Sequence, residues 1–291
     1  MFDRLMEDFC HFDDFCQAFG PHWEARLLSQ GAQPAKKRGP QAGLADREIM
    51  TILVLYHSSN FRNFKALYEG VVLTLRRSAV PKAPCYARFI AVTNHVWVPL
   101  TVFLLTRMGR RTGIYYIDST PLAVCHTRRI ERHTVFAGLA ARGKTRLGWF
   151  CGFTRHLGFH HERQSVALTL TPGSVHDTTP VPQLTQDLIG KLFGDKGYVG
   201  KDLAHRLLHR GLVLMTRVRR NMKRLPVSFF DTAWLNGRNI VETIIGHIKE
   251  FSSLRLPKQR SVFNAFTHIT AALVAYQINP LPPKPIRASI P

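Results

Sequence analysis

Three acidic residues, each beside a short motif where a regular element ends or turns, constrain this chain more than any other feature of its sequence. Asp118 follows the β-rich segment 114–117, and Asp195 follows a shorter apolar segment. Glu242 lies within a helical pattern. Carboxylate oxygens are the ligands that hard divalent cations prefer, and two such cations held about 3.5–4 Å apart act on phosphodiesters. The sequence therefore predicts that the three carboxylates meet in a two-metal site.

The charge of the chain indicates a polyanionic partner. Its 291 residues include 40 Lys and Arg against 19 Asp and Glu, which gives a formal net charge of +21. An excess of this size favours nucleic acid first and an anionic membrane second, although any single basic cluster can also be a solvated face. The densest cluster, which we predict to contact DNA backbone, consists of Arg217, Arg219, Arg220, Lys223 and Arg224, and two smaller groups consist of Arg128, Arg129 and Arg132 and of Arg255, Lys258 and Arg260.

The cysteines and the N-terminus predict where the protein resides. The five cysteines are odd in number and have no CxxC spacing, which is typical of buried thiols in a reducing compartment. The N-terminus carries Asp3, Glu7 and Asp8 and does not resemble a signal peptide. Apolar runs fall short of the roughly 18 residues that a membrane span needs. We therefore expect a cytoplasmic protein with no membrane partner.

The order of the patterns predicts two domains and a tail. Residues 1–108 show the three- and four-residue apolar spacing of helices. In residues 109–279, β-rich segments come first and helices come later, which is typical of an α/β domain. Residues 280–291 are rich in proline and predict a tail. The predicted fold class is α/β, a mixed β-sheet flanked by helices and preceded by an all-helical N-terminal domain.

The predicted helix 239–250 presents Glu242 at the edge of an apolar stripe. Lys249 follows Glu242 by seven residues, nearly two full turns, so both residues lie on one face of the helix. A metal-binding acid and a cation on one face suit a phosphate ligand. The alternative is a surface pair without a role.

Two other groups of residues suggest different chemistry. Cysteine and histidine in the segment 151–161 suggest zinc, although their spacing matches no common tetrahedral pattern. The zinc set would be Cys151, His156, His160 and His161. The neighbours Cys125 and His126 suggest a nucleophilic pair, but adjacent residues of a strand point to opposite faces. A supporting position near the metals is the alternative for that pair.

A set of motifs runs in order along nearly the whole chain. The motifs are the segments 49–53, 57–59 and 62–65 in the helical part, followed by 117–121, 124–126, 170–177, 194–198 and 241–244. With these motifs the chain resembles the DDE-type transposases of bacterial insertion sequences, closest to the insertion-sequence 982 group.

The resemblance implies a fold, a site and an activity. It implies an RNase H-like catalytic domain in which Asp118, Asp195 and Glu242 are the catalytic, metal-binding triad. It also implies two Mg²⁺ or Mn²⁺ ions, and it puts Lys249 near the DNA end. The implied activity is cleavage at terminal inverted repeats and transfer of the 3′ end to target DNA. A homodimer is expected in the synaptic complex, with the N-terminal helices binding DNA ends.

One segment departs from the family pattern. Where the family has an alternating apolar strand, residues 154–165 carry several charges and few β-branched side chains. This composition predicts a poor central strand and a weakened sheet beside Asp118. It favours a second hypothesis, a DNA-binding relic or repressor without catalysis. A third hypothesis is a metal-dependent nuclease of related fold.

Overall fold

The computed structural model describes residues 4–30, 43–146, 148–217, 228–251 and 259–282. The chain divides into two compact units, one formed by residues up to Arg107 together with Gln259–Ile278, and the other formed mainly by Met108–Glu250. The helices of the first unit are α1 (Leu5–Ser29), α2 (Asp46–His57), α3 (Phe64–Leu67), α4 (Tyr86–Val92), α5 (Trp97–Thr106) and α10 (Val262–Ile278). The second unit contains β1 (Ile114–Ala123), β2 (Ala141–Thr145), β3 (Gly148–His160), β4 (Ser165–Pro172), α6 (Val181–Leu184), β5 (Gly190–Gly194), α7 (Lys201–Leu208), β6 (Leu212–Thr216), α8 (Phe229–Gly237) and α9 (Asn239–Phe251). A π-helix, Tyr68–Leu75, continues α3, and short 3₁₀ turns cover Thr93–Val96, Thr127–Arg132 and Lys196–Tyr198.

An aromatic core joins the helices of the first unit. The rings of Phe64 and Tyr68 pack on Phe89, with ring centroids 5.6 Å and 4.5 Å away. Helix α10 packs against α5 and α2. Its residue His268 is buried, and its Nδ1 lies 3.0 Å from Nε2 of His57. The all-helical character predicted for the N-terminal part is therefore confirmed.

One helical run among the described residues, Tyr86–Thr106, is long and apolar enough by length and composition to cross a membrane. The expectation that no apolar stretch reaches this length was therefore wrong. Phe89, Leu100 and Phe103 of this run are buried, and α5 packs on α10. Buried helices of protein cores pass the same test of length and apolarity.

The sheet of the second unit is mixed and centres on β1. Its strand order is β2-β3-β1-β5-β6, and β4 also pairs with β3. The pairs of β3 with β1, β2 and β4 are antiparallel, whereas β1 with β5 and β5 with β6 are parallel. Strand β1 opens with Ile114–Ile117, whose β-branched and aromatic side chains suit a strand covered on both faces. The predicted α/β class is confirmed.

The two faces of the sheet are covered by different helices. On one face, Tyr115 and Ile117 pack with buried residues of α7, including Leu203 and Leu207. On the other face, the Tyr116 hydroxyl donates a hydrogen bond to the Trp234 carbonyl of α8 at 3.3 Å. Because Asp118 follows Tyr116 by two residues, it lies on this second face of the sheet.

The segment 154–160 forms the C-terminal half of β3, and the prediction of a poor strand there was wrong. It pairs with β1 on one side and with β4 on the other. Residues 152–160 are all buried. Pairing on both sides satisfies the backbone of this segment and outweighs its weak intrinsic strand preference, because strand preference depends strongly on context.

The position of α10 differs from the sequence-based domain division. Residues 109–279 were expected to form one domain, but Gln259–Ile278 belongs to the first unit. The reason is burial, since nearly every residue of α10 from Thr267 to Gln277 is covered, and its described partners are α2, α5 and the 3₁₀ turn before α5. Most of the predicted tail, residues 283–291, lies outside the described residues.

Candidate active site

Strand pairing brings the two aspartates side by side. Tyr116 of β1 is in register with Phe193 of the parallel neighbour β5. Asp118 and Asp195 each follow this pair by two residues, so they occupy equivalent positions, Asp118 inside β1, where it pairs with Leu157 of β3, and Asp195 just beyond the end of β5. Asp195 lies directly after β5, where its Oδ1 accepts a hydrogen bond from the Lys196 backbone N–H at 2.7 Å.

The helix pair α8–α9 brings Glu242 to the aspartates. Ser228 caps the N-terminus of α8, where its side-chain hydroxyl accepts a hydrogen bond from the Asp231 N–H at 3.1 Å. Nζ of Lys191, in β5, lies 2.6 Å from Oδ1 of Asp231 and ties α8 to the sheet. On α9, Val241, Ile244 and Ile248 are buried, as the apolar stripe predicted, and Glu242 is exposed.

One arginine contacts all three acids. Nη2 of Arg238 lies 3.1 Å from Oε1 of Glu242 and 3.9 Å from Oδ1 of Asp195. Its Nη1 lies 4.0 Å from Oδ2 of Asp118. The three carboxylates therefore converge around a single guanidinium group, and the two-metal site predicted from the sequence stays a prediction. The sequence analysis missed Arg238, although its position four residues before Glu242 was a usable signal, because residues at this spacing share a helix face.

Burial and charge set the protonation of Asp118. The pKa of this carboxyl is raised to about 6, mainly by burial, and the nearby charges of Asp195 and Glu242 contribute in the same direction. The Ser119 backbone N–H, which donates to Oδ1 at 2.9 Å, and the Arg238 guanidinium act in the opposite direction. A divalent cation would add a further force toward the ionised form, because it interacts with the charged carboxylate.

The described residues contain no group of three His, Cys, Asp or Glu side chains placed closely enough to hold one metal ion. The donor chemistry nevertheless fits, since the site offers three carboxylates and hard divalent cations take oxygen ligands. The guanidinium of Arg238 stands among these carboxylates. Metal binding would require the guanidinium to move away and the three carboxylates to come closer to one another.

A buried tyrosine lies close to the two aspartates. Tyr198 follows Asp195 by three residues, and 2% of its surface is exposed. Burial raises the pKa of its hydroxyl, and the charges of Asp118, Asp177 and Asp195 act in the same direction. Gly194 gives this ring room, because a Cβ there would lie 3.1 Å from Cδ2 of Tyr198, a tight contact that only a small shift of the ring would relieve.

Comparison with known families decides the identity of the second unit. A family model for the transposase DDE domain matches residues 108–262, more than half of the chain. The chain belongs to the transposase DDE domain family. The matched DDE segment contains Asp118, Asp195, Arg238, Glu242 and Lys249.

Other comparisons add limited similarity. A piggyBac transposase synaptic complex with hairpin DNA, determined by cryo-electron microscopy, has a TM-score of 0.39 and 14% sequence identity to this chain. The similarity covers 66% of this chain and 46% of that one, so this chain matches less than half of that protein's length. No curated protein sequence matches the chain.

The structure describes only some of the residues that the sequence predicts to bind DNA. Lys249 is half-buried on α9, seven residues beyond Glu242. Arg217 is exposed, and its Nη2 donates to Oδ1 of Asn236 at 2.8 Å. The other members of that cluster, Arg219, Arg220, Lys223 and Arg224, lie outside the described residues, as do Arg255 and Lys258. The contacts of these residues with DNA stay a prediction.

The zinc hypothesis finds no support in the histidine contacts. Nε2 of His156 lies 2.9 Å from the Thr171 hydroxyl, and Nε2 of His160 lies 3.2 Å from Oε1 of Gln164. Cys151 alternates with these histidines along β3 and lies on the opposite face. The structure thus separates the members of this set.

Proposed function

We propose that the chain is a DNA transposase that uses two Mg²⁺ or Mn²⁺ ions to cleave at the ends of its element and to join the freed 3′ end to target DNA. The observation that carries this proposal is the convergence of Asp118, Asp195 and Glu242 on Arg238 within a transposase DDE domain. A net charge of +21 suits a DNA partner.

The proposed reaction consists of two displacements at phosphorus. In the first, a water oxygen bonds to the phosphorus at the element end and the bond to the 3′-oxygen breaks, leaving a 3′-hydroxyl and a 5′-phosphate. In the second, that 3′-oxygen bonds to a target phosphorus, and the target strand loses its own 3′-oxygen from this phosphorus. In each step the attacking group releases a proton to solvent, and the leaving 3′-oxygen takes up a proton from solvent. Bound metal ions activate the attacking oxygen and stabilise the leaving oxygen in such reactions.

The three acids would divide the work of holding the ions. The charges of both Asp195 and Glu242 act on Asp118, which makes Asp118 our candidate for the acid that would interact with both ions. Glu242 would hold one ion. Its side chain is 62% exposed, so its contact with Arg238 opens to solvent and can be exchanged for a metal contact. Lys249 would contact phosphate near the cleaved end.

The finer family assignment is part of the proposal. The strand order, with antiparallel pairs on one side of β1 and parallel pairs on the other, supports an RNase H-like fold. The motifs at 117–121, 194–198 and 241–244 support the insertion-sequence 982 group and hence a bacterial element. The proposal extends to a cytoplasmic homodimer without a membrane partner that holds two DNA ends, with the N-terminal helices in end recognition.

The test uses the purified full chain and a labelled duplex taken from the border of the DNA segment that encodes it. With Mg²⁺ or Mn²⁺, we expect nicking at the border and joining of the labelled 3′ end to a plasmid. Asp195→Asn should abolish both steps while leaving the affinity for the duplex within about twofold. The matched control is Asp187→Asn, because Asp187 is an exposed acid whose partner is Arg111, 3.6 Å away.

The three hypotheses give different products. Cleavage without joining supports a metal-dependent nuclease, and a shifted but uncut duplex supports a relic without catalysis. Cleavage that persists in Asp195→Asn refutes the site assignment. The relic hypothesis has lost its main argument, since the segment 154–160 forms the central strand β3.

A further inference from the structure

The hairpin of β2 and β3 presents cations and an aromatic ring on one face. Arg142 is in register with Cys151, and Lys144 is in register with Trp149. Since directly paired residues share a face and alternate residues of a strand return to it, Arg142, Lys144 and Trp149 lie on the same side. All three are exposed, as is Arg146 in the connecting turn. We call these four residues the hairpin patch.

A second basic segment lies beside the hairpin patch. The 3₁₀ turn Thr127–Arg132 contacts β3 and exposes Arg128, Arg129 and Arg132. Nη2 of Arg142 lies 3.9 Å from Oε1 of Glu131 in this turn, which joins the two segments. Glu131 is the one acidic residue in the sequence between Asp118 and Glu162. The charge of this surface is therefore almost entirely positive.

Edge protection does not account for the hairpin patch. Lys and Arg on an outer strand such as β2 can prevent pairing with other chains. A large exposed aromatic ring works against that purpose, and Trp149 is 60% exposed. It is the one tryptophan of the four that is classed as exposed, and Nζ of Lys144 lies 5.5 Å from its ring centroid. Cations around an open aromatic ring are typical of surfaces that bind nucleic acid through phosphates and base or sugar stacking.

Strand geometry relates the hairpin patch to the candidate site. Trp149 and Leu157 are both on β3, an even number of residues apart, and Leu157 is in register with Asp118. The hairpin patch therefore faces the same side of the sheet as Asp118. At about 3.3 Å per residue, Trp149 lies roughly 26 Å from Leu157 along the strand. On a duplex with about 3.4 Å per base pair, this length corresponds to roughly eight base pairs.

We propose that the hairpin patch is a second DNA-binding surface, which contacts duplex backbone roughly eight base pairs from the phosphate at the candidate active site. Arg142, Lys144 and Arg146 neutralise phosphates, and Trp149 packs on a sugar or a base. This inference rests on the proposed function, because the position of the reacting phosphate defines the distance. A basic surface with tryptophan also suits an anionic membrane, but a duplex held at Asp118 runs along the same side of the sheet.

The main test compares two triple variants that each remove three positive charges. The test variant is Arg142→Gln, Lys144→Gln, Arg146→Gln. The control is Arg110→Gln, Lys201→Gln, Arg206→Gln, which changes exposed cations elsewhere in the same unit. Affinity for the border duplex is measured by fluorescence anisotropy over a series of salt concentrations. We expect the slope of log affinity against log salt to fall by about 2.7 in the test variant, at roughly 0.9 per lost phosphate contact, and by less than about 1 in the control.

Two further measurements locate the contact. Trp149→Phe should remove most of the tryptophan fluorescence change that the duplex causes, whereas the control triple variant, which keeps Trp149, should retain it. Duplexes shortened from either end should lose affinity for the wild-type chain when fewer than about eight base pairs remain on one side of the cleavage site. In the test variant, shortening past this length should cause no further loss of affinity. Thermal unfolding monitors whether each variant is folded.

Several outcomes would overturn the inference. Equal affinities and salt slopes in the two triple variants, with wild-type binding and cleavage intact, reject the hairpin patch while the proposed function stands. Loss of binding to phosphatidylserine vesicles alone, without loss of duplex binding, assigns the hairpin patch to a membrane surface. If the wild-type chain binds no duplex, the proposed function and this inference fall together.

Discussion

At the scale of single residues, Arg238 has the most unusual environment in the DDE domain. Three carboxylates that would otherwise repel one another surround its guanidinium, at 3.1–4.0 Å. Repulsion of this kind normally raises carboxylate pKa values, and Arg238 counteracts it at Asp118. The arginine therefore supplies, without any metal, part of the positive charge that a two-ion site needs.

Replacing Arg238 should make the acids bind metal more tightly. In Arg238→Gln, the guanidinium no longer competes with the ions for the carboxylates. We expect the dissociation constant for Mn²⁺ in the absence of DNA to fall about tenfold, the equivalent of ~1.4 kcal/mol. Isothermal titration calorimetry measures this constant. The control is Arg217→Gln, which removes an exposed arginine bonded to Asn236. Unchanged or weaker Mn²⁺ binding in Arg238→Gln would show that the guanidinium does not compete with metal ions for the carboxylates.

The second residue-scale feature is the pair His57–His268 in the helical unit. The two rings meet at 3.0 Å between Nε2 and Nδ1, and His268 is 3% exposed. Burial lowers the pKa of His268 from 6.5 to about 4. The folded state thus keeps this imidazole neutral, and the unfolded chain binds its proton at a higher pH.

The helical unit should lose stability in weak acid. Because the pKa of His268 is lower in the folded state, its contribution is complete above about pH 6.5 and is lost as the pH falls toward 4, where the loss reaches about 3 kcal/mol. Urea unfolding of the helical signal between pH 7 and pH 4 measures this loss. His268→Phe should flatten the pH dependence, whereas the exposed His126→Gln should retain it. If the free energy of unfolding of His268→Phe depended on pH as steeply as that of the wild-type chain, His268 would not be the cause of the loss.

At the scale of elements, β3 is a central strand with polar residues in covered positions. Arg155 is 1% exposed, and burial lowers the pKa of its guanidinium to about 10. Its Nε and Nη1 have no hydrogen-bond partner among the described residues. Uncompensated buried donors cost free energy, so β3 forms in spite of Arg155.

Removing this charge should stabilise the sheet. Arg155→Met keeps a long side chain in the covered position and removes the unpaired donors, and we expect the free energy of unfolding to rise by about 1–3 kcal/mol. Urea unfolding of the full chain gives this value. Arg206→Met, on the exposed part of α7, should change it by less than about 0.5 kcal/mol. A destabilised Arg155→Met would mean that the guanidinium is satisfied in the folded protein.

Some elements follow from the sequence alone, and others depend on pairing partners. The strands around 114–117 and 166–171 and the helices near 46–57 and 239–250 lie where periodicity and composition predict them. The segment 154–160 could not be predicted as a strand from its residues, because β1 and β4 supply the hydrogen bonds and the cover. In the same way, the apolar spacing of 261–277 predicts the helix α10 but not the unit to which it belongs.

The candidate site was predictable as a set of acids and not as an arrangement. The sequence predicted Asp118 and Asp195 after strands and Glu242 on a helix edge, and from this their convergence, although β1 in fact continues through Asp118 to Ala123. The spacing of four residues indicated that Arg238 and Glu242 share a helix face, but not that Arg238 also approaches Asp118 and Asp195, which are distant in the sequence. The roles of these residues in metal binding and catalysis stay predictions until metal affinity and DNA cleavage are measured.

At the scale of the whole molecule, the chain leaves the helical unit at Arg107 and returns to it at Gln259. The returning helix α10 contributes Ala271, Leu273 and Val274 to the core of that unit. The helical unit is therefore assembled from two distant parts of the sequence. Cutting the chain near residue 108, at the domain boundary that the sequence suggested, would separate α10 from the helices it packs on.

Truncation after residue 258 should damage the helical unit selectively. Removal of α10 exposes the apolar side of α2 and α5, which we expect to raise amide exchange in α2 by at least about a hundredfold, equivalent to ~2.7 kcal/mol. Exchange in β1 and β5 should stay within about threefold of the full chain. Hydrogen exchange followed by mass spectrometry makes both measurements in one experiment. Unchanged protection of α2 would show that α10 is dispensable for the helical unit.

The late return of α10 has a consequence for synthesis on the ribosome. Helices α1 to α5 emerge first, but their last packing partner is translated only after the entire DDE domain. At about 5–20 residues per second, this delay lasts roughly 8 to 30 s. Throughout that interval the apolar surfaces of α2 and α5 are open to chaperones and to neighbouring nascent chains, so the expression yield of the protein should depend on translation speed between Arg107 and Gln259.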